Sequence, residues 1–291
     1  MPLPDLLAEP RRAFDRLLQR VRTAAIIRRH RQRDRATLAD LRALPDPAAA
    51  PLADALERVA RYRRADLPPA VQAIERERVR LLRDRGPLCA GTDGLDWDRG
   101  RTVREACGAS KPPRPAFMLY ELARTFGPHT VIEFGTNVGV STAYLATGLG
   151  GDGTVITLEA SPDRSRIARD LHARLGLTNV RYVPGFFDDT LAGVLAETDR
   201  VDLAFIDGNH HKEPTLAYFD AVAAKMGAGG MVVFDDTRWS PGMVAAWREA
   251  RAHPRVRLAL DFGWVGLAVL RGPDEPPAPP PALAPMPSLG V

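Results

Sequence analysis

Between residues 130 and 236 the chain repeats one pattern five times: a short apolar run, then a turn or a stretch of helical length. The runs are "TVIEF" at 130–134, "TVITLEA" at 154–160, "VRYVPG" at 180–185, "VDLAFID" at 201–207 and "GMVVFDD" at 230–236. Residues 139–149, 162–176, 188–196 and 213–227, between the runs, carry helical spacing. The runs are almost continuously apolar, as expected of strands covered on both faces. This alternation predicts an α/β fold, a doubly wound Rossmann-like sheet. "RLALDFGWVGLAVL" at 257–270 adds two strand-like runs around Gly263, which predict an antiparallel edge hairpin.

The flanks differ in texture. Leu6, Leu7, Phe14, Leu17, Leu18, Val21 and Ile26 recur at helical spacing and predict a helix within 5–44, broken by "LPDPAAAP" at 44–51. Further helices are predicted at 52–64, 69–84 and 116–126, with a Gly-, Asp- and Pro-rich irregular connection over 86–115. The chain therefore divides into a basic α-helical N-terminal extension (1–65), a helix with an irregular connection (66–115), a sheet domain (116–271) and a proline-rich tail (272–291) expected to be disordered.

Residues 1–115 hold 25 Lys/Arg against 16 Asp/Glu, and the remainder is net acidic. Such asymmetry suits an acidic partner, but aromatic residues for base stacking are sparse there, so nucleic acid is not the expected partner. With only Cys89 and Cys107, neither a disulfide framework nor a structural zinc site is expected. "TAAII" at 23–27 is too short for a secretory signal, and no apolar run reaches membrane-spanning length. A cytoplasmic location is the expectation.

"VIEFGTNVGVST" at 131–142 lies at the carboxyl end of the first strand, where doubly wound sheets bind ligands. Gly135 and Gly139 allow a tight turn and close approach of a ligand. A dinucleotide fingerprint starting at Gly135 needs glycines at 137 and 140, where Asn137 and Val140 stand, so a dehydrogenase fits badly. Glu133 before the turn suits a ligand with a cationic amino group. Ser141 and the following helix N-terminus suit a carboxylate, and Glu159, ending the next strand, is placed for ribose hydroxyls. These features fit S-adenosylmethionine.

The stretch resembles motif I of class I S-adenosylmethionine-dependent methyltransferases, and most of all the catechol and caffeoyl-CoA type O-methyltransferases and their bacterial relatives. The resemblance covers about 105–270. It implies cofactor contacts from Glu133, Gly135, Thr136, Asn137, Gly139, Ser141, Glu159 and Asp207. Asn137 departs from the glycine that many methyltransferases carry there. "PGFFDD" at 184–189 ends the third strand, where adenine lies in this fold, and offers Phe187 to the ring and Asp188 to its amino group.

Asp207 ends the fourth strand, and Asp235 and Asp236 end the fifth. Three uncompensated carboxylates repel one another, and Mg2+ or another divalent cation is a usual remedy. The resemblance implies these three as metal ligands that lower the pKa of a substrate hydroxyl. His210 stands where the catechol-type enzymes carry a lysine base, with His211 and Lys212 as alternatives and Trp239 toward the substrate. The expected reaction is methylation of a small hydroxylated acceptor, and a homodimer is one expected assembly. The alternatives are a nucleic-acid or protein methyltransferase docking through the basic region, and an inactive cofactor-binding module.

Overall fold

The computed structural model describes residues 32–89 and 95–289; the helix expected before residue 32 lies outside them. The N-terminal helices are α1 (32–42), α2 (Ala49–Ala60), α3 (Pro69–Arg83), α4 (Val103–Gly108) and α5 (Pro113–Phe126). Then β1 (Thr130–Phe134), α6 (Val140–Leu149), β2 (Thr154–Glu159), α7 (Pro162–Arg174), β3 (Val180–Pro184) and α8 (Phe187–Ala196) alternate. They continue through β4 (Leu203–Ile206), α9 (Lys212–Ala224), β5 (Met231–Phe234), α10 (Pro241–Arg251), β6 (Val256–Asp261) and β7 (Gly266–Leu270).

The sheet runs β3-β2-β1-β4-β5-β7-β6. Its first five strands are parallel, and β7 runs antiparallel to β5 and β6. The order reverses between β1 and β4, so the carboxyl ends of these strands open a crevice. Successive side chains of β1 point to opposite faces. Val131 joins the apolar layer built with α2, α3, α5 and α6, while Ile132 and Phe134 join the layer with α8, α9 and α10. Edge strand β6 alternates instead, burying Val256, Leu258 and Leu260.

Two sequence expectations require correction. The connection over 86–115 contains α4, which opens on a reciprocal cap between Thr102 and Glu105. The tail does not hang free over its described part. Met286 and Leu289 are buried in the core, and the Met286 N–H donates to the Asp261 carbonyl at 2.7 Å. Composition marked the tail as disordered, but two apolar side chains among its prolines find an unfilled face. Leu289→Ala is expected to destabilise the protein by about 2–4 kcal/mol. An unchanged urea midpoint would show that the tail does not contribute to packing. Among the described residues no helix is long and apolar enough to cross a membrane.

Candidate functional site

The crevice is a cavity of ≈ 500 Å³. Gly135, Thr136, Asn137, Ser141, Glu159 and Asp207 line it on the turn side, and Phe187, Asp188 and His210 complete the predicted wall. Glu133, Gly139, Asp235 and Asp236 do not line it. A Cβ at Gly139 would meet His172 Nε2 at 2.7 Å, and the His172 Nε2–H donates to the Gly139 carbonyl at 2.7 Å. The other ring nitrogen, Nδ1, then accepts from the Tyr182 hydroxyl at 2.6 Å. Burial holds the His172 pKa down to about 4, so a neutral ring supports the turn from below.

Glu133 is fully buried beneath this turn. Its Oε2 accepts from Thr142 and, at 2.7 Å, from Thr157. Its Oε1 is buried and makes no close hydrogen bond, although the Ser141 hydroxyl lies near enough to favour the carboxylate. Buried carboxylate oxygens are normally satisfied, and such an oxygen at a strand end under the cavity fits a ligand amino group, met directly or through water. Burial raises the Glu133 pKa from 4.5 to about 7, against the hydroxyls of Ser141, Thr142 and Thr157. Because the folded value lies above the unfolded one, stability is full below about pH 4.5 and falls as pH rises through 7. Relative to Glu133→Gln, the wild-type protein is expected to lose about 2–3 kcal/mol of stability between pH 5 and 8. Parallel melting curves over that range would refute this.

Glu159 is committed on both oxygens, Oε2 to the Asn137 N–H at 2.8 Å and Oε1 to the Ser161 N–H at 2.9 Å. Each oxygen keeps a lone pair for a ribose hydroxyl. Asn137 stands at φ 48°, a left-handed conformation that asparagine tolerates best after glycine. That accounts for its departure from the glycine pattern. Its side chain donates to the Ala106 carbonyl at 3.0 Å and accepts from Arg164 at 3.3 Å. The other non-glycine residues with positive φ among those described are Asn209 and Asp236, after β4 and β5. Of the three, Asn137 and Asn209 line the cavity.

On the far wall, Asp188 accepts from the Tyr218 hydroxyl at 2.7 Å, and Phe187 packs edge-on against Phe134 and Tyr218. The more open aromatics are Phe186 and Trp97, with ring centroids 6.0 Å apart and both lining the cavity. Neither was anticipated from sequence, although the doubled phenylalanine was a signal for Phe186.

Of the three acids, Asp207 lines the cavity just after β4, while Asp235 and Asp236 follow β5. Lys111, just before α5, places its Nζ on Asp235 Oδ2. Burial disfavours its charge, but Asp235, Asp207 and Asp236 outweigh burial and raise its pKa. Burial, reinforced by Asp235 and opposed by Lys111, lifts Asp207 well above the carboxylate range. Asp236 is raised by burial and Asp235. The metal-ligand expectation does not fit this arrangement, because an ammonium stands among the three carboxylates. Among the described residues no group of three or more His, Cys, Asp or Glu side chains is arranged to hold a metal ion. Lys111 was legible in one respect: only three of the chain's 40 Lys/Arg residues are lysines.

His210 lines the cavity with Nε2 3.6 Å from Asp236 Oδ2, while its Nδ1 is buried and unpartnered. Trp239 is 65% exposed, its ring 6.1 Å from that of His210. The alternative bases lie elsewhere: His211 is exposed and Lys212 pairs with Glu249 at 2.7 Å.

A family model described as a methyltransferase domain matches residues 132–237. A Mycolicibacterium smegmatis protein named as an O-methyltransferase is 31% identical over 166 residues, 56% of this chain and 74% of that protein. One from Mycobacterium sp. (strain JLS) is 34% identical over 118 residues, 40% of this chain and 52% of that protein. Over several such curated relatives the chain spans 52% to 60% of their length. Among solved structures, a cofactor-bound MTB protein is 26% identical with a TM-score of 0.51, covering 71% of this chain and 91% of that one.

Proposed function

This chain belongs to the O-methyltransferase family of class I S-adenosylmethionine-dependent methyltransferases, and we propose that it methylates a hydroxyl of a small molecule bound in the cavity. The observation that carries this reading is Glu133 Oε1, buried without a close hydrogen bond beneath the Gly135 turn, with Glu159 ending the neighbouring strand. When bound, S-adenosylmethionine supplies a methyl on a sulfonium: the acceptor oxygen forms a bond to that carbon as the carbon–sulfur bond breaks, the pair staying on sulfur.

The chain's own part is positioning and proton management. Glu133 holds the amino group, and the turn with Ser141 receives the carboxylate. Glu159 takes the ribose hydroxyls, and Phe186, Phe187 and Trp97 enclose the adenine. His210, which lines the cavity, takes the hydroxyl proton, while Asp236, 3.6 Å from its Nε2, stabilises the imidazolium that forms.

Calorimetry with S-adenosylhomocysteine tests the reading, with NAD as control. Micromolar binding of the former alone is expected, and no binding would overturn it. His210→Ala is expected to lower kcat about 100-fold or more, with S-adenosylhomocysteine affinity retained. An unchanged kcat would remove His210 from the mechanism.

A further inference from the structure

We infer that Lys111 stands in for a divalent cation, so that methyl transfer in this protein is independent of added metal. The inference rests on the proposed methyltransferase reading and concerns the electrostatics of that site.

Three carboxylates from two adjacent strand ends need a positive charge. Here the chain provides it. The Lys111 ammonium contacts Asp235, whose side chain is 1% exposed, and is itself 10% exposed. It lines the same cavity as Asp207 and His210. A compact ammonium with three donors can sit among carboxylates much as a small hard ion does, whereas a planar guanidinium engages them through a flat, five-donor fork. The chain otherwise uses arginine almost throughout, with lysine only at 111, 212 and 225. A lysine at this one buried acidic position is therefore informative.

The backbone that carries Lys111 is fixed on both sides. The Lys111 carbonyl accepts from Arg78 Nη1 at 2.5 Å, and Arg78 is itself fixed by Glu75 at 2.8 Å, both side chains buried. Pro112 and Pro113 follow and start α5, restricting the backbone on the other side. A divalent ion entering this cluster must displace an anchored cation.

The test is Mn2+ titration of the full chain, followed by loss of the free-ion EPR signal, with and without S-adenosylhomocysteine. Wild type is expected to take up no Mn2+ up to millimolar concentration. Lys111→Ala, with the charge removed and space opened, is expected to bind it at least tenfold more tightly. Lys111→Gln keeps most of the stem and is read the same way if the alanine protein does not fold. Mn2+ binding by wild type as tight as by the variants would overturn the inference. So would absence of binding in both, since the cluster would then not be a cation site. Calorimetry with S-adenosylhomocysteine on the same samples reports separately on the methyltransferase reading, so the two failures are distinguishable.

Discussion

Gly135→Ala is expected to lower S-adenosylhomocysteine affinity by roughly 100-fold, the equivalent of about 3 kcal/mol. Two costs combine. Gly135 has φ 98°, a conformation that costs an alanine about 1–3 kcal/mol. A Cβ there would also stand 2.3 Å from the Asp207 carbonyl oxygen, which is backbone and cannot rotate away. The end of β4 must shift, and with it Asp207 and the loop to His210. Gly193→Ala in α8 is the control: nothing lies within 4 Å of its Cβ, and alanine is the better helix former. Calorimetry on both proteins, with circular dichroism to confirm folding, decides the matter. Equal affinities would mean that the turn does not shape the pocket.

The second large effect concerns the boundary expected at 116. A protein comprising only 116–271 is expected not to fold. Leu41, Leu52, Leu56, Val59, Val71, Ile74, Leu81 and Leu88 are each at most 1% exposed and share one apolar layer with Val131, Val155 and Tyr144. At about 1.5–3 kcal/mol each, these eight side chains represent roughly 12–24 kcal/mol of burial. That is as large as or larger than the roughly 5–15 kcal/mol of net stability a protein possesses. Removing them also uncovers α6, in which every residue from Val140 to Ala146 is buried, and deprives the Tyr144 hydroxyl of Glu75, 2.6 Å away. Broad, non-cooperative melting of the fragment is the expected result. A sharp transition would show that the sheet and its own helices suffice.

The sheet was legible because its strands are buried on both faces and read as apolar runs; each predicted parallel strand is present within a residue or two. The turn after β1 was legible because the conformations at Gly135 and Asn137 restrict which residues can stand there. What stayed hidden was long-range. α10 carries charge on its open face and lies between two strand signals that drew attention away from it. His172 supports Gly139 from 33 residues away, and Lys111 reaches Asp235 from before the first strand. Periodicity reports on neighbours along an element. A cation supplied across the fold to a cluster of acids leaves no periodic trace, so Asp207, Asp235 and Asp236 suggested a metal.

The Ser288 hydroxyl contacts Asp34 Oδ2, and the Ser288 carbonyl accepts from Arg114 at 2.9 Å, so the described chain closes on itself across 254 positions. During synthesis, at about 5–20 residues per second, α1 leaves the ribosome some 13–50 s before the residues that seal it. For that interval Asp34 lacks its contact with Ser288. A chain terminated before residue 286 lacks this seal altogether.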